Sequence, residues 1–502
     1  MGLIMSNRYM GMMPLQPNIL NPVIERRENV GPDTNGLIFV VAFCVVIVGW
    51  SAAFILGDDF IRALKTISTR TKTVDVGAAD VLFGLFVVSL AGVLAGVSLL
   101  VYHSRVFFML LVCCFALGEI QINALNTVSF AARYVFIFVL ITAGVATLVG
   151  SSGQYGRTLG VLGLCYVGWL SVDLFVHGLT SDAVSVLPMQ FALMLGIFWG
   201  LRDRLKNFSD VQSLCMVLGW LGAVFTVLHT TALIFAPEPF LGGRFKSYFI
   251  LPTNFADRYA LLYIAMVWVA LMDRSVLRKS ILFSCAVGGT ILLILSGTRN
   301  AAMMIVISLC VFGIVWKGKI SALMAGGVAV MFVGLAVLDG DVSKLQGSVD
   351  RISKMDASNR YEVWALAWNY ISQNPWIGYG LGGASDLMTK GLVEYQKATF
   401  INAHNAYMGV WLQLGLVGLG LMLIMYAYAA ANGFSILFGK SISLEYKKTV
   451  SLPLAIICAL FFGGLFEDNL SSRGSISQLL WGLSILLITS LSKSVQTASA
   501  TS

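Results

Sequence analysis

Residues 405–431 read NAYMGVWLQLGLVGLGLMLIMYAYAAA and contain no Asp, Glu, Lys or Arg. A helix needs about 20 predominantly apolar residues to cross the hydrocarbon core of a bilayer, so this stretch predicts a transmembrane helix. Similar runs lie on both sides of it. The complete set of fourteen candidate spans is near 36–57, 79–102, 105–121, 130–150, 157–177, 184–201, 211–236, 259–272, 280–297, 300–316, 320–338, 405–431, 450–466 and 475–492.

The composition of the whole chain agrees with this prediction. Of its 502 residues, 58% are hydrophobic and only 12% are charged, about half the charged share of a soluble domain. Soluble, disordered, collagen-like and disulfide-scaffold classes are therefore excluded. The sequence predicts an all-α polytopic membrane protein with about 12–14 transmembrane helices. The bundle extends over 36–492, between a cytoplasmic N-terminal segment (1–35) and a cytoplasmic tail (493–502).

The positions of Lys and Arg predict the orientation. Basic residues concentrate in cytoplasmic loops, and fourteen spans put four basic loops on one side, around Arg202, Arg274, Lys317 and Lys440. The loop 58–78 disagrees, because it also carries basic residues. The opposite face receives the segment 237–258, the tip at Arg299 and a large loop, 339–404. Within that loop, Trp364, Ala367, Trp368 and Ile371 share one helical face, and Asn374-Pro375 ends the pattern. We expect an amphipathic helix on the outer membrane surface.

The net charge of +8 does not indicate nucleic-acid binding, because the chain has no long basic run. Its eight cysteines form no C-x-x-C motif, and we expect inert thiols. Asp339-Gly340-Asp341 is a weak candidate for a metal site, and a solvated helix end is the favoured interpretation.

Two side chains on the outer face could carry chemistry. His404 ends the large loop just before the span at 405–431, where a neutral imidazole could remove a proton from a hydroxyl. Taken alone, its position fits an interfacial anchor better. Arg299 lies between two spans on the face that is poor in cations, where a guanidinium could clamp a phosphate. The alternative for Arg299 is an arginine that snorkels at a helix end.

Other charged residues fit an anionic substrate on the same face. Arg244, Lys246 and Arg258 lie in or next to the segment 237–258, and Arg351 and Arg360 lie in the large loop. Lipid headgroups alone would be the simpler ligand. Asp173 is a carboxylate inside a predicted span and hence a functional candidate, with a buried hydrogen bond to a neighbouring helix as its alternative. Glu467, Asp468 and Arg473 cluster in the last outer loop, where they either shape a site or cap helices.

Four segments, in the same order, resemble motifs of the O-antigen ligase and polymerase superfamily. The resemblance covers roughly 240–430, the predicted catalytic region. The four segments are Arg244-Phe245 with Thr253-Asn254-Phe255-Ala256, Ser296-Gly297-Thr298-Arg299, Arg360-Tyr361 through Asn374-Pro375 to Gly378-Tyr379-Gly380, and His404-Asn405-Ala406-Tyr407. The sequence departs from the family pattern in one respect, because the usual Gly between the first Arg and the Asn is not clearly placed.

The resemblance implies a GT-C-like bundle and glycosyl transfer at the periplasmic face of a bacterial inner membrane. The donor would be a saccharide on undecaprenyl pyrophosphate, and the reaction would be inverting, with no metal, nucleotide sugar or other cofactor. His404 would be the general base, and Arg299 and Arg244 would bind the pyrophosphate. Asn405, Arg360, Tyr407 and Asn254 would support them.

Three functions remain open at this stage. The leading one is a polysaccharide polymerase that joins lipid-linked repeat units for an exopolysaccharide or O-antigen. It would act on a glycan acceptor, with a chain-length regulator as a further candidate partner. The near alternative is an O-antigen ligase that transfers the glycan to lipid A core. The third is a transporter or flippase, which the absence of two matching halves disfavours.

Overall fold

A computed structural model describes residues 104–118, 120, 123–150, 157–178, 181–205, 207–316, 360–381, 403–468 and 475–501, together with isolated positions at 92, 96–98, 100, 383 and 387–388. The predicted spans at 36–57 and 320–338, nearly all of 79–102, the segment 1–35 and most of the large loop lie outside the described residues. So do Asp339-Gly340-Asp341, Arg351 and Arg473.

The described part of the chain is built from helices. In chain order they are α1 (Ser104–Leu117), α2 (Asn123–Gly150), α3 (Arg157–His177), α4 (Ser181–Phe191), α5 (Phe208–Phe235), α6 (Pro252–Met272), α7 (Val276–Ser296), α8 (Arg299–Val315), α9 (Arg360–Gln373), α10 (Ala406–Phe438), α11 (Leu444–Gly463) and α12 (Ile476–Thr501). Seven of them are long and apolar enough to cross a membrane, and α1, α8 and parts of α2 and α4 are shorter apolar helices. The chain is thus an all-α polytopic membrane protein, as predicted. The spans are helical because a helix satisfies the hydrogen-bonding groups of its own backbone inside lipid.

Helix α6 is the centre of the bundle. It packs against α5, α7, α8 and α11, and 83% of the residues in its apolar 18-residue stretch are buried. Small residues let α5 approach it closely: a Cβ on Gly222 would lie 2.3 Å from the Leu262 carbonyl oxygen. By contrast, only 33% of the residues in the apolar 18-residue stretch of α3 are buried, and its Phe175 is exposed, as expected of a lipid-facing helix.

Two segments depart from regular α-helix. After α4, residues Ala192–Gly200 form a buried π-helix, so the predicted span at 184–201 changes helix type midway. Its glycines lie against α2, where a Cβ on Gly196 would lie 2.5 Å from Leu140 Cβ. The second departure is in α10, where Gly415 has φ 66° and ψ −173° and breaks the helix. A left-handed φ of this kind favours glycine.

The helix predicted in the large loop is present as α9, and it ends before Asn374-Pro375 as expected. Its buried side chains are Val363, Ala367 and Ile371, and they pack with Ala403 and Leu412. This apolar face therefore lies against α10. Trp368 is 55% exposed at the edge of that face.

Candidate functional site

The segment from His404 to Tyr407 forms the start of α10. Asn405 is the N-cap of this helix, and its side-chain oxygen accepts hydrogen bonds from the backbone N–H groups of Tyr407 and Met408, both at 3.0 Å. An N-cap of this kind satisfies backbone donors that have no partner within the helix. The Asn405 amide nitrogen also donates to the Leu465 carbonyl oxygen at 3.1 Å. The predicted supporting residue Asn405 therefore fixes the backbone beside His404.

Helix α10 is held against the end of α11 at the same point. The Ala406 N–H donates to the Gly464 carbonyl oxygen at 2.8 Å, and the Tyr407 hydroxyl donates to the Phe461 carbonyl oxygen at 2.5 Å. Tyr407 thus joins two helices and supports the site through its contacts with the backbone.

His404 itself adopts an unusual backbone conformation, with φ +48°. Residues other than glycine rarely have positive φ, and such strain often marks a functional position. The Nδ1 atom of His404 lies 3.3 Å from Glu467 Oε2, with side-chain exposures of 30% and 13% respectively. When Nδ1–H donates to this carboxylate, Nε2 carries the lone pair, which is the arrangement of an oriented base.

Arg244 lies on a small hairpin after α5. Strands β1 (Phe240–Leu241) and β2 (Arg244–Phe245) pair antiparallel, and the two-residue turn between them, Gly242-Gly243, has positive φ at both positions. A type I′ turn requires positive φ at both of its central residues, which glycine adopts without strain. The hairpin is fixed to α5 by a hydrogen bond between Ser247 Oγ and His229 Nδ1, at 2.9 Å.

The hairpin brings Arg244 to the turn that precedes Arg299. Its Nε donates to the Ser296 carbonyl oxygen at 2.7 Å, and its Nη2 donates to Thr298 Oγ1 at 3.0 Å. The positive charge of Arg244 at the C-terminal end of α7 also interacts favourably with the negative end of the helix dipole. Arg299 follows as the first residue of α8, with an exposed side chain. The two arginines predicted to act together thus come from neighbouring structural elements.

The cation side and the histidine side meet at the last glycines of α11. A Cβ on Gly463 would lie 3.5 Å from Asn300 Oδ1, in the first turn of α8. The adjacent Gly464 accepts the Ala406 N–H of α10. The starts of α8 and α10 therefore flank the same end of α11. Among the other predicted residues, Asn254 is half-buried in the first turn of α6. Arg360 is the first residue of α9, and the structure describes only the backbone of this residue.

Comparison with known proteins shows similarity over part of the chain. The model of the O-antigen ligase family matches residues 283–423. This match supports the resemblance to the O-antigen ligase/polymerase superfamily. The O-antigen ligase of Salmonella typhimurium (strain LT2) is 27% identical over 141 residues, which are 26% of this chain and 35% of the relative. The chain thus matches about a third of the length of that curated relative.

The ligase-like segment (residues 283–423) contains Arg299, Arg360, His404, Asn405 and Tyr407. Arg244 and Asn254 lie before it and Glu467 lies after it, so only the fold connects them to its residues. Sequence reasoning left the role of Glu467 open, because its partner His404 is 63 positions away. The available signal for Glu467 was its position: it is a carboxylate in the loop between the last two predicted spans, just after α11.

Proposed function

We propose that the protein is a glycosyltransferase that moves a saccharide from a lipid pyrophosphate to an acceptor hydroxyl, at the periplasmic face of a bacterial inner membrane. The observation that carries this proposal is the His404–Glu467 pair, which stands at the start of α10 beside the helix that begins with Arg299. The match of residues 283–423 to the O-antigen ligase family supports it.

In the proposed reaction, His404 is the general base. Glu467 holds the imidazole through Nδ1, and Nε2 accepts the proton of the acceptor hydroxyl as that oxygen attacks the anomeric carbon. The bond from the anomeric carbon to the pyrophosphate oxygen breaks, and the lipid pyrophosphate leaves with the electron pair. Attack from the face opposite to the leaving group inverts the anomeric centre. The bundle contributes by holding two long substrates in line.

The arginines would stabilise the leaving group. The guanidinium of Arg299 forks onto two phosphate oxygens, and the positive end of the α8 dipole points to the same place. Arg244 is already bound to the turn at 296–298, so its charge is fixed before substrate arrives. Preorganised charge of this kind is an effective way to stabilise a transition state.

The acceptor distinguishes two versions of the proposal. A ligase would use lipid A core, and this version is favoured because the matched family and the relative are both O-antigen ligases by name. A polymerase would use a second lipid-linked repeat unit, with a chain-length regulator as the partner that sets polymer size. The match covers only 35% of the relative's length, so the polymerase remains a candidate.

The remaining parts of the proposal follow the resemblance. The donor lipid is undecaprenyl pyrophosphate, the protein contacts membrane lipids, and the reaction uses no metal, nucleotide sugar or nucleic acid. Membrane enzymes of this type would act on exopolysaccharide, O-antigen or lipopolysaccharide glycans.

The test is the glycan profile of cells that lack the gene, complemented at matched protein levels with wild type, His404→Ala or Arg299→Ala. Single repeat units in both mutants and long polymer with wild type would support the polymerase. Long chains that stay on the lipid carrier in the mutants, and reach lipid A core only with wild type, would support the ligase. Wild-type profiles in both mutants would contradict the proposed site and direct attention to a transporter.

A further inference from the structure

The break in α10 is closed by a segment that comes from outside the helix. Residues after α9 run along the break: the Tyr379 N–H donates to the Leu412 carbonyl oxygen at 2.8 Å, and the Gly380 N–H donates to the Gln413 carbonyl oxygen at 3.0 Å. The Leu416 N–H donates in return to the Pro375 carbonyl oxygen at 2.8 Å. Backbone groups released by the break thus find partners, as they must inside a membrane protein.

One face of α3 completes this junction. Trp169 Nε1 donates to the Leu414 carbonyl oxygen at 2.8 Å. One turn further along α3, Asp173 Oδ2 accepts the Leu381 N–H at 3.2 Å. The three consecutive N–H groups of residues 379–381 therefore have three acceptors, two on α10 and one on α3.

Asp173 is built into this position from both sides. Its side chain is only 2% exposed, and its second oxygen, Oδ1, lies 3.1 Å from His177 Nδ1. The backbone of Gly380 lies directly against His177, because a Cβ on that glycine would be 2.7 Å from His177 Cβ. A buried carboxylate is costly, and this one is retained where it holds a single backbone amide of a distant segment.

We propose that Asp173 is a positioning residue for the glycosyl transfer proposed above: it anchors the segment 379–381 in the break of α10 and so fixes the first part of α10, which begins just after His404. The half-helix between Asn405 and Gly415 is short, so a shift at the break moves the base at its other end. A displacement of about 1 Å at a reacting group can cost on the order of a hundredfold in rate.

The experiment uses the full-length protein in nanodiscs, with the lipid-linked saccharide that accumulates in the deletion strain as donor. Asp173→Ala should lower kcat about tenfold or more while the KM for the donor stays near wild type. Amide hydrogen exchange at residues 379–381 and 406–412 should become faster. Asp173→Asn keeps an acceptor for Leu381 N–H and a partner for His177, so it should restore most of kcat. Gly380→Ala should reproduce the Asp173→Ala effect from the opposite side.

Ser171→Ala is the matched control, because Ser171 lies on α3 but is exposed, and among the described residues its hydroxyl bonds its own helix, at the Val167 carbonyl oxygen. Unchanged exchange at 379–381 in Asp173→Ala would overturn the anchoring. Faster exchange with wild-type kcat would overturn the positioning role, and so would a folded Asp173→Asn that fails to restore kcat. Wild-type transfer by His404→Gln would instead defeat the proposed function, and the exchange measurement would still test the anchor.

Discussion

Two helices begin side by side at the same end of the bundle, and they begin differently. At the start of α10, the Asn405 side chain caps two backbone N–H groups, and His404 is held by Glu467. At the start of α8, the N-cap Thr298 makes no side-chain cap hydrogen bond, and its hydroxyl instead accepts a hydrogen from Arg244. The Asn300 carboxamide has no hydrogen-bond partner among the described residues.

The contrast suggests a division of labour. A fully capped helix start holds one side chain in one orientation, which suits a base. A start without a side-chain cap, next to two guanidinium groups, suits an anion that arrives from outside. The predictions below test each half of this contrast.

The largest effect should come from the base. His404→Gln removes the imidazole and retains a polar side chain, and general-base catalysis contributes about 10²–10⁴-fold. We expect transfer to fall by that range in a purified assay with lipid-linked donor. Lys440→Ala is the control, since Lys440 is exposed near the other end of α10. Transfer within twofold of wild type would remove His404 from the mechanism.

The cation half should show the next largest effect. Arg299→Ala should lower transfer about a hundredfold, and Arg299→Lys should recover only part of it, because lysine keeps the charge but loses the planar fork. Arg274→Ala is the matched control: Arg274 is exposed just before α7, whereas Arg299 follows the end of α7. Full activity of Arg299→Lys would show that charge alone matters and that the bidentate contact is not made.

A smaller effect should follow from the partner of the base. Glu467→Gln keeps a hydrogen-bond acceptor near His404 Nδ1 but removes the negative charge that stabilises the imidazolium. We expect a loss of about tenfold in kcat, with donor KM unchanged, measured in the same assay. A loss equal to that of His404→Gln would mean that the imidazole acts as a base only when the Glu467 carboxylate holds it, and would contradict the smaller role expected here.

The sequence predicted the helices well and their partners poorly. Hydropathy alone located α3 at 157–177, because a span must be apolar over its whole length. The same measure did not detect the break at Gly415, since a glycine in an apolar run does not change its mean hydropathy. Periodicity predicted α9 and its end, yet a periodic pattern specifies a face and not what covers it, so the contact with α10 was missed.

The candidate site shows the same limit. His404 and Arg299 were predicted from their positions, His404 just before a span and Arg299 between two spans on the face poor in cations, and from the family resemblance. Glu467 and the Asp173 contact with Leu381 are pairings across 63 and 208 positions, which one sequence does not reveal. Of the two interpretations of Asp173, the structure supports a buried hydrogen bond, though with a loop backbone and not with a helix.

The smallest predicted effect tests the cap at the start of α10 without any assay of activity. Asn405→Ala should lower the free energy of unfolding by about 1 kcal/mol, within the 0.5–2 kcal/mol range of lost N-caps, and should lower the Tm in detergent by a few degrees. Asn405→Ser should recover most of this loss, because serine also caps. Asn207 provides a matched control: it is the N-cap of α5 but makes no side-chain cap hydrogen bond, so Asn207→Ala should change the Tm less. Equal shifts for the two variants would mean that the start of α10 gains nothing from its cap, and the proposed difference between the start that holds the base and the start that receives the anion would lose its structural basis.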